Sequence, residues 1–341
     1  MMGRLRRYGV PLLRLALGVA LLAYLVSAGA IDWSSLGGLL DAWKLSALAF
    51  VLLFLVLTLV SQRLRILLAA QGFTLPLGAA IRLTLIGGFF SAFLPGSSGG
   101  DLARIYLAAR PHPGYGTEIA TVLIIDRVVG ALSLLSLPPL AALAIAASGA
   151  TFPAMVEGLL VLAVLGLLAV PAVIALGSRP SLRHAAVRWL RHVRLDGHAE
   201  RFLDTVGAFR GKKRAILTAF SVALVTQALL VTSILLLARA TSGTAFNWWL
   251  VFVVPFGMLA NALPITPGGL GVGEAAFAGL FASVGVSGGA EALIAWRILT
   301  TLFDLLGGGL FAVGHTGVAI GATQDASQGV SRGAGATAED G

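Results

Sequence analysis

The chain of 341 residues contains no cysteine and few charged side chains, and both shortages limit what the protein can be. Without cysteine it has no disulfide, no thiolate ligand for a metal and no cysteine nucleophile. Charged residues make up 11% of the chain, whereas a soluble globular protein carries about 25%. Hydrophobic residues make up 57%, which leaves too few polar side chains to cover a water-exposed surface. The composition therefore predicts an integral membrane protein.

Six stretches are long and apolar enough to form transmembrane helices, which need about 20 residues each. They cover roughly residues 10–31, 45–70, 117–147, 153–177, 215–238 and 289–316. The first stretch follows three arginines and ends at the small residues Ser27-Ala28-Gly29-Ala30, as a signal peptide would. We favour a retained first span.

The positive charges are distributed unevenly along the chain, and this predicts its orientation. Ten lysines and arginines lie between Arg179 and Arg214, and four precede or open the first span. Arg63 and Arg65 are expected to close the second span on the same side. Because loops rich in Lys and Arg stay in the cytoplasm, both termini are predicted to be cytoplasmic. We expect a multi-pass protein of the cell membrane.

Two further segments are apolar but are interrupted by proline and glycine. Their arms cover Leu83–Leu94 and Asp101–Arg110 in the first segment, and Trp248–Leu263 and Val272–Val286 in the second. Most of these arms are near half the length needed to cross a bilayer core, so we predict two re-entrant helical hairpins. Broken backbone is tolerated at membrane depth only when it is buried in protein or lines a wet cavity.

The two hairpins resemble each other in sequence. Phe90–Pro95 parallels Leu259–Pro264 at an offset of 169, and Arg127 parallels Arg297 at an offset of 170. Chance similarity between glycine-rich membrane loops is the alternative. If the repeat is real, its halves enter from opposite sides, and inverted repeats with broken helices are typical of alternating-access transporters.

The predicted fold class is all-α, a polytopic membrane helix bundle of about six spans and two re-entrant hairpins with inverted-repeat architecture. We expect a single membrane domain over residues 1–320, with repeat halves of about 1–150 and 151–320. The remaining residues, 321–341, are rich in Gly, Ala and Ser and are predicted to form a disordered cytoplasmic tail.

Three arginines, Arg104, Arg127 and Arg297, lie in segments predicted to be inside the bilayer. Arginine is costly there, so each needs an acidic partner, water or a ligand. The candidate acidic partners are Asp101, Asp126, Glu274, Glu291 and Asp304. Mutual neutralisation of these charges is the structural alternative to a binding site.

The glycine-rich breaks supply a second feature that attracts anions. A half-helix that begins inside the membrane directs free backbone N–H groups into the cavity, and glycine lets a phosphate approach them closely. We therefore predict a site for an anionic headgroup, although a small soluble anion fits equally well. The predicted site comprises Ser97, Ser98, Gly99, Gly100, Asp101, Arg104, Asp126, Arg127, Thr266, Gly268, Gly269, Glu274, Arg297 and Asp304.

The motifs together resemble a known family. The sequences LPGSSGGDLAR at 94–104, Asp126-Arg127 and PITPGGLGVGE at 264–274 are similar to the flippase-like membrane family, which includes the transmembrane region of lysylphosphatidylglycerol synthases. The resemblance implies lipid translocation or a role beside envelope glycolipid or hopanoid pathways. It assigns family positions to Gly99, Gly100, Asp101, Arg104, Arg127, Pro267, Gly268, Gly269 and Glu274. About 20 polar residues follow the last predicted span, so aminoacyl transfer is not expected.

Three functions fit the sequence. The first is translocation of an anionic lipid or lipid-linked intermediate, which a cavity lined by the three arginines would favour. The second is a non-transporting scaffold for a glycosyltransferase or lipid-modifying enzyme, which a dry centre would favour. The third, remote, function is an intramembrane serine protease using Ser98 and His315, although the strand–turn–helix of a nucleophile elbow is absent from the predicted elements. We expect no enzyme activity, cofactor, metal or nucleic-acid partner, and membrane lipids as the surroundings.

Overall fold

The computed structural model describes residues 27, 37–93, 99–110, 115–177, 211–263, 265–313 and 321–322. Several predicted features lie outside this part of the chain. They are the first span apart from Ser27, most of the basic loop, the first glycine-rich break, His315, and the predicted tail apart from Gly321–Ala322.

The described residues include ten α-helices. In chain order they are α1 (Gly38–Asp41), α2 (Trp43–Ala70), α3 (Leu77–Phe93), α4 (Gly99–Ala109), α5 (Gly116–Ala147), α6 (Ala154–Gly177), α7 (Lys213–Ser242), α8 (Trp248–Ala262), α9 (Val272–Ser283) and α10 (Gly289–Ala312). A 3-10 turn, Pro267–Gly269, precedes α9, and the two-residue strands β1 (Phe73–Thr74) and β2 (Gly321–Ala322) pair antiparallel. The all-α prediction is confirmed.

Four of these helices, α2, α5, α7 and α10, are long and apolar enough to cross a membrane. They contain 24–32 residues, which at 1.5 Å per residue exceeds the hydrocarbon core of about 30 Å. Their bounds agree with four of the predicted spans to within a few residues. The chain is therefore a multi-pass helical membrane protein, and the count of six spans stays a prediction.

Two pairs of consecutive helices are separated at the positions where the sequence has glycine and proline: α3 from α4, and α8 from α9. We call these pairs the first and the second broken helix. The predicted start of α3 was wrong, since it begins at Leu77 rather than Leu83 and has 17 residues. Pro76 starts it early, because its carbonyl accepts hydrogen bonds from the amides of Ala79 and Ala80. Re-entry into the membrane stays a prediction for both pairs.

The helices pack in a crossed arrangement around one centre. The long helices α2 and α7 lie against each other, α3 packs on α10, and α8 packs on α5. Each broken helix thus contacts the long helix that follows the other one. One apolar cluster surrounds Leu67, Leu83 and Val122, and a second surrounds Phe252 and Phe277. The helix α3 contacts the turn Pro267–Gly269, so the two broken helices meet near their breaks.

The contact between α3 and α10 depends on a glycine. A Cβ atom at Gly307 would overlap the backbone of Leu85, so the two helices approach closely only because residue 307 has no side chain. We expect Gly307→Val to lower the free energy of unfolding by about 1–3 kcal/mol, measured by thermal unfolding in detergent. Gly309→Val is the matched control, because nothing lies within contact distance of a Cβ at Gly309 on the same helix. Equal stability of the two variants would contradict this packing.

Candidate functional site

A cavity of about 600 Å³ lies between the two broken helices and is bounded by α2 and α10. This volume is typical of sites that bind small molecules or parts of larger ligands. One wall is apolar and consists mainly of Leu53, Val56, Leu57 and Val60 from α2, with Leu230 from α7. The rest of the lining is mixed, and its polar side chains are those of Thr84, Ser91, Arg104, Arg127, Asn261, Arg297, Thr300, Thr301 and Asp304. The cavity is therefore amphipathic.

Arg104, on α4, presents a guanidinium with unused donors to this cavity. Its side chain is 11% exposed, and its Nη2 donates to the Thr84 carbonyl over 3.2 Å. Its Nη1 is 4.0 Å from Asp101 Oδ1. Among the described residues, the buried Nε has no hydrogen-bond partner. Gly87 makes room for this group, because a Cβ there would overlap the Arg104 side chain.

Arg127, on α5, forms an ion pair at the edge of the same cavity. Its Nη2 lies 2.6 Å from Asp101 Oδ1, and its Nε donates to the same carboxylate over 3.1 Å. The side chain of Arg127 is 56% exposed, so this pair is accessible from the cavity. Asp101 is in the first turn of α4, where a carboxylate also interacts favourably with the helix dipole.

Arg297, on α10, connects that helix to the break of the second broken helix. Its Nε donates to Glu274, its Nη1 to the Gly268 carbonyl and its Nη2 to the Asn261 side chain, each over 2.6 Å. The other carboxylate oxygen of Glu274 accepts from the Gly271 amide over 2.7 Å. Glu274 is 1% exposed, so its charge is neutralised entirely inside the protein.

The second break is built from glycines that adopt left-handed backbone conformations. Gly268, Gly269 and Gly271 have φ angles of 60°, 71° and 79°, which residues with a side chain rarely adopt. A Cβ at Gly269 would also overlap the carbonyl of Asn261. The Thr266 hydroxyl donates to the Leu270 carbonyl over 2.7 Å and is thus used to hold the turn.

The two broken helices make matching contacts with the long helices that follow them. Asp101 binds Arg127 in the first case, and Glu274 binds Arg297 in the second. The acids are 173 positions apart and the arginines 170. One ion pair of the same kind, an acid of the broken helix with an arginine of the next long helix, therefore occurs in each half of the chain.

The glycine contacts recur as well, with one difference. A Cβ at Gly87 would overlap Arg104, whereas a Cβ at Gly257, which is 170 positions later, would overlap the ring of Phe277. Phe277 is 173 positions after Arg104. A phenyl ring consequently occupies, beside Gly257, the position that a guanidinium occupies beside Gly87.

The predicted site residues fall into four groups. Those that line the cavity are Arg104, Arg127, Gly268, Arg297 and Asp304. Those that shape or support it are Asp101, Glu274, Thr266, Gly269, Gly100, which packs on Ser91, and Gly99, which begins α4. Ser97 and Ser98 lie outside the described residues. Asp126 lies apart from the cavity lining, and Glu291 is buried in the first turn of α10.

Asp126 has a partner that the sequence prediction missed. Its carboxylate binds Arg63 on α2 through two hydrogen bonds of 2.6 and 2.9 Å, and the two side chains are 5% and 6% exposed. Arg63, which was counted among the charges that close the second span, is thus buried in the protein rather than exposed. It lies seven residues before the end of α2 and faces α5, where Gly130 leaves room for the guanidinium.

Asp304 does not pair with Arg297, although the two share a helix and a seven-residue spacing. Arg297 is instead engaged by the second break, and no described ion pair includes Asp304. Its carboxylate lines the cavity together with Arg104 and lies close to Gly88, where a Cβ would overlap it.

The prediction also missed several uncharged polar residues of the cavity: Thr84, Ser91, Asn261, Thr300 and Thr301. Two signals were available in the sequence. Asn261 is the one amide side chain in the apolar segment Trp248–Ala262, and Thr300 follows Arg297 by one turn. Thr300 therefore shares a helix face with a predicted site residue.

Comparison with known proteins identifies the family. The family model described as "Lysylphosphatidylglycerol synthase TM region" matches residues 12–308, which include both broken helices and every residue of the cavity. No curated protein and no solved structure matches the chain. The match covers most of the chain, so the protein belongs to the family of the lysylphosphatidylglycerol synthase transmembrane region.

Proposed function

We propose that the protein translocates an anionic lipid or lipid-linked intermediate across the membrane, with the headgroup bound between the two broken helices. The observation that carries this proposal is that guanidinium groups from α4, α5 and α10 line a cavity to which α2 contributes only apolar side chains. A lipid has the same division, since its headgroup is charged and its acyl chains are not. A scaffold with a dry, closely packed centre has no need of such a cavity.

Arg104 is the residue assigned to grip the headgroup. Arg127 and Arg297 each donate hydrogen bonds to a carboxylate, whereas the one described carboxylate that approaches Arg104, that of Asp101, is 4.0 Å from its Nη1. A phosphate can accept two parallel N–H bonds from one guanidinium, and charge-assisted bonds of this kind are the strong ones. The largely exposed pair of Arg127 and Asp101 adjoins this position and supplies a second cation.

The charges of the described cavity residues balance. Arg104, Arg127 and Arg297 are offset by Asp101, Glu274 and Asp304, when all six groups are ionised. Asp126 takes no part in this balance because it neutralises Arg63. A cavity that is neutral when empty can persist inside a bilayer, and an arriving anion replaces carboxylate contacts with phosphate contacts.

In the proposed cycle, the repeat halves 1–150 and 151–320 of a single membrane domain rock against each other around the bound headgroup. The recurring ion pairs support this, because each fixes a broken helix to a long helix of its own half. Acyl chains stay in the bilayer beside the apolar wall. Inverted repeats of broken helices transport in this way. The proposal assigns no catalytic step to the chain.

The test is translocation of fluorescent phosphatidylglycerol in vesicles containing the purified protein, read with a membrane-impermeant quencher. We expect Arg104→Gln to lower the rate at least about tenfold, the equivalent of one lost charged hydrogen bond, and Arg104→Lys to lower it less. Arg82→Gln is the control, since Arg82 bonds only its own helix at the Gly78 carbonyl and lies outside the cavity. Size-exclusion profiles and thermal unfolding check that each variant is folded.

A folded Arg104→Gln variant that translocates phosphatidylglycerol and cardiolipin at the normal rate would overturn the proposal. The scaffold for a lipid- or glycan-modifying enzyme would then be the better hypothesis. The serine protease hypothesis rests on Ser98 and His315, which lie outside the described residues.

A further inference from the structure

A second cavity, of about 590 Å³, lies where α5 and α7 end and α8 begins. It shares no lining residue with the central cavity. Its walls are almost entirely apolar and include Leu137, Leu140, Ala141 and Ala144 of α5, Val231, Leu235 and Leu236 of α7, and Val251 of α8. The Thr232 hydroxyl in this wall donates to the Ala228 carbonyl of its own helix, so it offers little to a ligand. We call this cavity the lateral groove.

One cation stands at the end of the lateral groove. Arg239 is in the last turn of α7, is exposed, and forms no hydrogen bond or ion pair with any described residue. The Thr244 hydroxyl beside it also has no hydrogen bond within the described part of the chain. The helix dipole favours a cation in the last turn. The helix dipole does not explain why Arg239 lines an otherwise apolar groove.

Aromatic rings indicate the depth of this end in the membrane. Phe246 and Trp248 form an edge-to-face pair with ring centroids 5.3 Å apart, and both are exposed at the rim. Tryptophan is enriched where the hydrocarbon meets the headgroups. Ala228, at the other end of the groove, is eleven residues from Arg239, or about 16 Å along the helix, roughly half the hydrocarbon core. The groove therefore extends from headgroup level into the core.

We propose that the lateral groove binds one anionic phospholipid from the adjoining leaflet. Its phosphate contacts Arg239 and Thr244, and one acyl chain lies along the small residues Ala141 and Ala144 of α5. Charge complementarity selects an anionic headgroup, because the one ionisable group in the lining is a cation without a partner in the described chain. The site is independent of the central cavity and of any transport through it.

The test uses the full chain in nanodiscs of phosphatidylcholine with a minor fraction of phosphatidylglycerol, followed by mass spectrometry of the intact protein with its retained lipids. We expect one phosphatidylglycerol to be retained in preference to phosphatidylcholine. A surface cation contributes about fivefold in affinity for anionic lipid, so Arg239→Gln should lower this preference about fivefold. Arg239→Lys should preserve it, since lysine also binds phosphate.

Two further variants make the experiment specific. Lys44→Gln removes another exposed cation, on α2 outside the groove, and should leave retention unchanged. Ala144→Trp fills the groove and should displace the lipid while Arg239 remains. Equal retention in all four variants would overturn the proposal. Because Arg104 lies elsewhere, translocation by Arg104→Gln is judged separately from this outcome.

Discussion

Asp126→Ala is expected to lower the free energy of unfolding by about 3–5 kcal/mol, because it leaves a buried guanidinium without its counter-charge. Arg63 and Asp126 join α2 to α5 through two short hydrogen bonds, and both side chains are almost completely buried in the protein. The loss is measured as the shift in denaturant unfolding in detergent micelles. Arg63→Ala should cost a similar amount, since it leaves the carboxylate buried alone.

The double variant Arg63→Met/Asp126→Leu distinguishes this explanation from a simple packing defect. It removes both charges and keeps much of the volume, so it should recover most of the stability lost in either single variant. Glu118→Ala is the control on the same helix, where an exposed carboxylate should contribute within about 0.5 kcal/mol. Additive losses in the double variant would show that the two side chains do not act as a pair.

The second large effect is expected for Arg297→Ala, again about 3–5 kcal/mol. Arg297 neutralises the buried Glu274 and also binds Asn261 and the Gly268 carbonyl, so its loss releases the turn between α8 and α9. Hydrogen exchange of residues 261–274 should become faster, in addition to the change in unfolding. Translocation is expected to fail in this variant because the cavity wall is no longer ordered.

Arg297→Lys gives the sharper comparison. Lysine keeps the charge but cannot reach three acceptors in the fixed directions of a guanidinium, so we expect it to recover only part of the stability. Thr301→Ala is the control one turn further along α10, since its hydroxyl bonds only the carbonyl of Arg297. A lysine variant as stable as the parent chain would mean that the charge alone matters.

The cavity residues show how much of the site could be predicted from the sequence. Arg104, Arg127 and Arg297 were predicted because charge is rare in apolar segments, and the structure brings all three to one cavity. The pairing of Arg127 with Asp101 and of Arg297 with Glu274 was not assigned, because five acids were equally eligible by sequence position. The pairing of Arg63 with Asp126 was not predicted either. From the sequence alone, an arginine near the end of a predicted span cannot be distinguished from one buried against a neighbouring helix.

The sequence by itself determined the four long helices and the positions at which the two broken helices are interrupted, because both depend on local properties. A run of apolar residues must satisfy its backbone within the helix, and proline and glycine interrupt that pattern wherever they occur. Only the tertiary structure decided which charges meet. Arg63 and Asp126 are 63 positions apart in the sequence, and Arg297 and Asn261 are 36 positions apart. The tertiary structure also left Arg104 without a hydrogen-bonded carboxylate among the described residues, while Phe277 took the equivalent place beside Gly257. An ion pair forms over a few ångströms, and distances of that size between remote segments are set by helix packing, which one sequence does not reveal.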